Sequence, residues 1–376
     1  MSSAQPVAGR APAALLAIAT LTVLAIYATY MVVAVSSASK AFGCDYLTYD
    51  AGARSWLSGV TPYPIQVAEA GTCGIFQYPP PFLLGVAPFT LLSPAAANWL
   101  WTGMLTLCVP LAALAMPIPP LARLVVLALA GTSWPVVFAV RVGAIGPLLL
   151  LLFALAWRWA DRPGRLAAVT VVGGFAKVLP GLLVGWMLLT RRWRAAGLSI
   201  GVAVVVGLLW LVLQPWMWSG FLDTERLVAD AVIRAPLNVS PAALAYFSGV
   251  PQDPAQLLGL AHALVVVGFA AAVAIWRSAD GSVVVAAIAS QAIAPVVWDH
   301  YAIVVFLAVG WLLARRQWWA VLLGLSMTWT LILWFQPWQW VAAMDGAMVA
   351  VAAVDWWEAR RAEARPLPAI AAAGHG

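Results

Sequence analysis

The sequence predicts an all-α protein that crosses a membrane many times. Three observations carry that fold class. Charged residues make up 9% of the chain and hydrophobic ones 64%, whereas soluble domains carry about 25% charged residues. Apolar runs of spanning length, about 17–25 residues, recur along most of the chain. Arginines cluster in alternate short connections between those runs, as in the cytoplasmic loops of multi-pass proteins. The 26 Pro and 29 Gly fall within or between apolar runs, which fits broken helices rather than disorder. The net charge of +6 is almost wholly arginine, since Lys40 and Lys177 are the only lysines. Loops facing anionic lipid account for it, and no nucleic-acid partner is needed.

Taken in order, Arg10 precedes an apolar run from Ala11 to Val35. The run is about twice the length of a signal peptide's apolar region, so it reads as an uncleaved first helix with a cytoplasmic N-terminus. Membrane segments are expected near 12–35, 95–116, 120–140, 146–160, 166–177, 178–190, 195–213, 255–276, 281–296, 301–314, 318–334 and 339–354. The stretch 79–93 is short and Pro-rich and is expected to re-enter or insert partly. Roughly 11–13 segments then form one multi-pass domain over residues 1–376, with no soluble domain expected at either end. With the N-terminus inside, two outer loops result, 36–94 and 214–254. Arg123, Arg158, Arg162, Arg165, Arg191, Arg192, Arg194, Arg277, Arg315, Arg316, Arg360 and Arg361 all fall on the cytoplasmic side, as the positive-inside rule requires. The other face collects acids, Trp and His. Two readings of the 22 Trp stand: an interfacial belt, or indoles that stack sugar rings.

The first outer loop carries most of the chemistry. Asp45 and Tyr49 sit four apart in a run with helical spacing, so a short helix on the membrane surface would place them on one face. Asp45 reads either as the N-cap of that helix or as a partly desolvated general base. Asp50 reads as solvated. Cys44 and Cys73 bracket the loop on the oxidising side, and a disulfide between them would close about 30 residues, worth roughly 3 kcal/mol by chain entropy. Cys108 lies in an apolar helix as packing.

Lys177 falls between two Arg-flanked turns, at the apex of a short helical hairpin. An intramembrane lysine needs a partner, for which a phosphate is the natural choice; snorkelling to the interface is the alternative. His300, next to Asp299 and Trp298, is either a packing residue or a phosphate ligand. His262 and His375 are not placed to join it, so no metal site is expected. Nucleotide-binding glycine loops are absent from the sequence.

Five motifs in order carry a resemblance. They are Asp45-Tyr46-Leu47-Thr48-Tyr49, Phe76-Gln77-Tyr78-Pro79-Pro80-Pro81-Phe82, Lys177-Val178-Leu179-Pro180 before Arg191-Arg192-Trp193, Asn238-Val239-Ser240, and Trp298-Asp299-His300-Tyr301. Over about 43–315 this order resembles glycosyltransferase family 87, of the GT-C superfamily. One stretch departs: Gly143-Ala144-Ile145-Gly146 stands where that family often has Gly-Gln-Val/Ile-Asn.

The resemblance implies a GT-C fold in the cell membrane and a polyprenyl-phosphate-sugar donor, most often of mannose. It also implies a glycolipid or envelope-glycan acceptor, an outer-face site and inversion at the anomeric carbon, with Asp45 as the base. No cofactor is then expected, the lipid-linked sugar being a co-substrate. Lys177 and His300, with Arg141, are expected at the donor phosphate. Tyr49, Arg54, Tyr78, Asn238, Trp298 and Asp299 are expected to contact substrate. A transporter or flippase of lipid-linked sugars is the competing class, since it also explains broken helices and an intramembrane lysine. A carrier, however, needs its polar groups near the midplane, not at one face. A structural assembly partner with a decayed site is a third reading, resting on the Gly143–Gly146 departure.

Overall fold

A computed structural model describes residues 10–37, 42–63, 74–328, 334 and 336–363 of the chain. Among these residues the protein is helical, with one isolated β-bridge between Ser133 and Thr328. The first half contains α1 (Arg10–Ser36), α2 (Cys44–Leu57), α3 (Phe82–Val86), α4 (Pro94–Ala115), α5 (Pro120–Gly131), α6 (Trp134–Val142), α7 (Gly146–Arg158) and α8 (Pro163–Ala176). The second contains α9 (Leu182–Leu189), α10 (Trp193–Leu213), α11 (Pro215–Ala231), α12 (Pro241–Phe247), α13 (Gln252–Trp276), α14 (Ala279–Ala292), α15 (Val305–Ala314), α16 (Ala320–Leu325) and α17 (Pro337–Glu363). Among the described residues, α1, α4, α10 and α13 are long and apolar enough to cross a membrane. Shorter apolar helices accompany them, α5, α7 and α14 included. The chain is an all-α polytopic membrane protein.

Lipid-facing and protein-facing helices differ in what they bury. Every residue of α14 from Gly281 to Ala292 is buried, and so is α15 from Val305 to Leu313. These two form the centre of the bundle with α7. On α10 and α13 the apolar side chains of Val205, Leu208, Val212, Leu260, Leu264 and Val265 are instead exposed. In water such a surface would aggregate; in a bilayer it is solvated by acyl chains.

Some expected segments are broken, for local reasons. The run at 120–140 is two helices, because Ser133 caps the second, accepting from the Val136 N–H, and Pro135 follows at a position that favours a helix start. The segment at 281–296 stops at Ala292, short of Pro295, which cannot donate to a helix ladder. At 318–334 only Ala320–Leu325 is helical among the described residues. The stretch 79–93 holds α3 and one 3-10 turn, Ala87–Leu91, both packed on α2.

The bundle has two chemically distinct ends. At one, the Arg192 Nη2 lies 3.0 Å from the Asp161 carboxylate and its Nε donates to the Ala160 carbonyl. That contact brings the start of α8 beside the end of α9, so the two form the expected hairpin with the break at Lys177 far from the arginines. Arg192 also covers Trp186, whose indole donates to Ser282, and Asp355 caps the Ser278 N–H nearby. Arg315 pairs with Glu358 and stacks on Trp311. The arginine clusters at 158–165, 191–194 and 315–316 therefore share one end. At the other end lie α2, the Lys177 break and the turn before α15.

Two left-handed glycines fix α2 there. Gly43 caps α2 at φ 68°, and Gly143 ends α6 at φ 77°. The Gly43 N–H donates to the Arg141 carbonyl at 2.8 Å, and the Trp101 indole donates to the Gly143 carbonyl at 2.9 Å. A Cβ on Gly143 would come 2.9 Å from the Tyr46 Cβ, and one on Gly43 would overlap Asn98. Only glycine allows both the backbone angle and this approach.

Candidate active site

Three stretches remote in sequence meet at the second end. α2 brings Asp45, Thr48 and Tyr49, whose i, i+3, i+4 spacing turns all three to one side. The break after α8 brings Lys177, held in an extended conformation at φ −161° and ψ 129°. The turn before α15 brings Trp298, His300 and Tyr301. These side chains line one cavity of about 310 Å³, together with Tyr78 and an apolar wall that includes Phe138 and Ile145. Small-ligand sites have about this volume and character.

Asp45 sits in the first turn of α2, inside it rather than capping it, because Gly43 is the cap. It is half-buried, and the surface it keeps faces the cavity. Burial pushes its carboxyl above the ordinary carboxylate range, while His300 and Lys177 draw it back down. Desolvation wins, as expected for a carboxylate removed from water. Beside it the Tyr49 and Tyr78 hydroxyls are 2.8 Å apart. Burial raises both phenols, so they face the cavity as neutral hydroxyls.

Lys177 does not run out to lipid. Its Nζ lies over the Tyr301 ring, 3.2 Å from the centroid, a cation–π contact inside the site. Tyr301 packs on His300 with ring centroids 5.2 Å apart, and Phe138 closes on the other side of the imidazole at 5.7 Å. Asp299 sits behind. It accepts from the Trp134 indole and, at 2.7 Å, from the His300 backbone N–H. Its carboxylate is 3.5 Å from His300 Nδ1, a separation at which the attraction is electrostatic rather than a full hydrogen bond.

A second chamber of about 320 Å³ shares Gln77, Tyr78, Lys177 and Tyr301 with the first. Its other walls are largely apolar, Val178, Leu179, Phe221, Pro295 and Val296 among them. Its one carboxyl is Glu225 of α11, half-buried and raised by that burial. Lys177 thus borders two spaces, one shared with Asp45 and His300 and one with Glu225.

Several expected site residues lie elsewhere. Arg54 does not line the cavity; its Nε pairs with Asp50 at 2.8 Å and it also donates to the Leu92 carbonyl. Asp50, expected in solvent, is buried, because α2 is covered by α3 and α4. Arg141 and Asp299 are also outside the cavity lining; Arg141 meets α2 through its carbonyl, and Asp299 backs His300. Asn238 is buried and fully used: its amide donates to the carbonyls of Val232 and Pro295, and its oxygen accepts from the N–H groups of Ser240 and Val297. It ties the loop carrying Leu237 to the strand-like run before Trp298, so it positions cavity walls without touching their contents. Of the indoles, Trp298 alone among the described residues lines the cavity, whereas Trp99, Trp276, Trp338 and Trp357 are exposed as a belt would be. Cys44 is disulfide-bonded and Cys108 is free and buried; Cys73, the expected partner, lies outside the described residues. His262 pairs with Asp345 at 3.0 Å, away from the cavity.

Tyr301, Gln291, Thr48 and Gln77 line the cavity without having been singled out in the sequence. Gln291 had a signal, as a polar side chain late in the apolar run 281–296. Thr48 shares the helical face of Asp45. Gln77 and Tyr301 stood within the sequence motifs, but nothing local set them apart from their neighbours there.

The family model of glycosyltransferase family 87 matches residues 76–298. The chain belongs to this family. It is a membrane glycosyltransferase. Neither the curated proteins nor the solved structures contain a match to it. The family match is narrower than the 43–315 expected. It takes in Tyr78, Lys177, Asn238 and Trp298, leaves His300 just past its end and leaves Asp45 well before its start. The places of those two in the site therefore rest on the cavity they share.

Proposed function

We propose that this family 87 glycosyltransferase moves a sugar, mannose by resemblance, from a polyprenyl-phosphate donor to a glycolipid or envelope-glycan acceptor, with inversion. The observation that carries the reading is the convergence of Asp45, Lys177 and His300 on one cavity. Inverting transfer needs a base on one side of the anomeric carbon and cationic or donor groups on the other. Asp45 takes the proton of the acceptor hydroxyl as the new C–O bond forms. The bond from the anomeric carbon to the phosphate oxygen breaks, and the lipid phosphate leaves with its added negative charge beside Lys177 and His300. Both chambers then have a use. The sugar lies in the chamber that holds Asp45 and His300, and the first prenyl units run past Lys177 along Val178, Leu179 and Phe221. The positive-inside rule sets the arginine end in the cytoplasm and so opens the cavity to the outer face.

The direct test is a transfer assay with the purified chain in lipid vesicles, synthetic polyprenyl-phosphomannose and a panel of glycolipid acceptors. The expected product is one hexose heavier and of inverted anomeric configuration. Transfer from a nucleotide sugar but not from the lipid-linked one would overturn the donor assignment. Mass spectrometry of envelope glycolipids with and without the intact gene then identifies the acceptor as the glycan that shortens.

A further inference from the structure

The end of the bundle opposite the cavity holds a second charged site. Pro117, Arg123, Arg158, Trp159, Arg162 and Arg165 line a cleft of about 530 Å³. The four arginines come from α5, the end of α7, the turn after it and the start of α8, and no carboxylate is among the lining residues. The neighbouring cleft is different. It is lined by Arg191, Arg192 and Arg194, but Asp161 lines it too and binds Arg192 at 3.0 Å. One cleft carries its own counter-charge; the other carries none.

The positive-inside rule explains the sign of these residues but not their convergence. Four guanidinium groups around one space repel each other unless an anion sits among them. Two are already oriented. Arg158 Nη1 reaches the Leu114 and Ala115 carbonyls at 3.4 Å, and Arg165 lies 5.5 Å from the Trp159 ring centroid. The Nε of Arg123 is buried and has no hydrogen-bond partner within the protein. A buried donor without an acceptor is costly to a fold, and a turn of the guanidinium toward an oxyanion in the cleft would satisfy it. Guanidinium forks suit phosphate geometry, and Arg supplies them better than Lys.

We propose that this cleft binds the phosphate of an anionic phospholipid headgroup. The surroundings favour a lipid over a soluble phosphate. Leu114, whose carbonyl Arg158 touches, has an exposed apolar side chain. It offers acyl chains a surface while the arginines hold the headgroup, and Trp159 supplies the ring typical of the interface. The site stands apart from the cavity and does not depend on what the cavity transfers.

The test uses the full chain in detergent, titrated with phosphatidylglycerol, cardiolipin or phosphatidylcholine and read by native mass spectrometry. Anionic lipids are expected to stay bound where phosphatidylcholine does not. The double variant Arg123→Gln/Arg162→Gln should weaken anionic lipid binding by about tenfold or more, on the scale of two lost interfacial charges. Arg191→Gln/Arg194→Gln, which removes the same charge from the neighbouring cleft where Asp161 pairs with Arg192, should leave it within about twofold. Thermal midpoints of both variants in neutral detergent provide the folding control, and Arg123→Lys, which keeps the charge but loses the fork, should fall between wild type and the double variant. Equal loss from both double variants, or equal retention of phosphatidylcholine, overturns the proposal in favour of diffuse surface charge. In a separate arm, inorganic phosphate and pyrophosphate compete with bound phosphatidylglycerol. Displacement only at large excess supports the lipid; binding of pyrophosphate at least as tight as the lipid overturns the lipid as the source.

Discussion

Both ends of this bundle hold charged residues, and they put them to opposite uses. At the arginine end the charges point outward, pair with carboxylates at the surface, as Arg315 does with Glu358, or line open clefts. At the cavity end a carboxylate, an ammonium and an imidazole line one cavity, the ammonium over the Tyr301 ring and the imidazole against Phe138. The difference is solvent. A charge facing water is screened and tunes orientation in the membrane. A charge withdrawn from water keeps its full field and shifts its neighbours' protonation, which catalysis can use. Composition tells the arginine end from the other, but only the direction of the side chains shows which charges are withdrawn from water.

The sharpest way to break the comparison is Asp45→Asn. It keeps the shape of the carboxyl and removes the base, and transfer should fall by about 10²–10⁴-fold, the usual share of a general base. Donor binding, measured by ligand-dependent thermal shift, should persist. Near-normal turnover would sink the assignment of Asp45.

Next comes Lys177→Met, which keeps the chain length and apolarity but drops the charge. Losing one preorganised contact to the leaving phosphate should reduce turnover by about 10²–10³-fold with a smaller change in KM. His300→Ala should act in the same direction, by less. An equal rise in KM with kcat unchanged would instead mark these residues as uniform binders.

A pH profile sharpens both. Asp45 must be ionised to act, and burial raises its pKa, so kcat/KM should rise with pH through a midpoint above the ordinary carboxylate range. Lys177 stabilises the ionised form. Its loss should therefore move that acid limb to higher pH, seen in whatever activity Lys177→Met retains. An unmoved limb separates the two residues electrically.

The smallest effect is expected at Asp50→Asn. Asp50 is buried but faces away from the cavity, and Arg54, its partner, is 40% exposed. Activity should stay within about threefold and stability within about 1 kcal/mol, the range of a partly exposed pair. A loss as large as that of Asp45 would mean that α2 itself has moved.

Much of this was legible in the sequence, and the reason is periodicity. The apolar runs gave the helical class, and the arginines sorted the connections into one end, because both depend on local composition. Asp45, Lys177 and His300 were legible because a charged or titratable residue among apolar neighbours is conspicuous. What stayed hidden was distance. Asn238 looked like a contact residue, but its side chain spends all its hydrogen bonds tying two loops together. Arg54 and Asp50 sit in the same helix as Asp45, yet the helical turn carries them to a different face. The glycine pair at Gly43 and Gly143, a hundred residues apart by number, is a tertiary contact that no local pattern announces.

The wall shared by the two chambers has a kinetic consequence. Lys177 is the ammonium that both spaces touch, so with the lipid-linked donor proposed above the phosphate released by one turnover would occupy the group that the next donor requires. Spent carrier would then have to depart before the enzyme could reload, whatever the supply of acceptor. Free polyprenyl phosphate should therefore inhibit competitively against the donor and non-competitively against the acceptor. The cell's rate of carrier clearance would then set the ceiling on flux through the reaction.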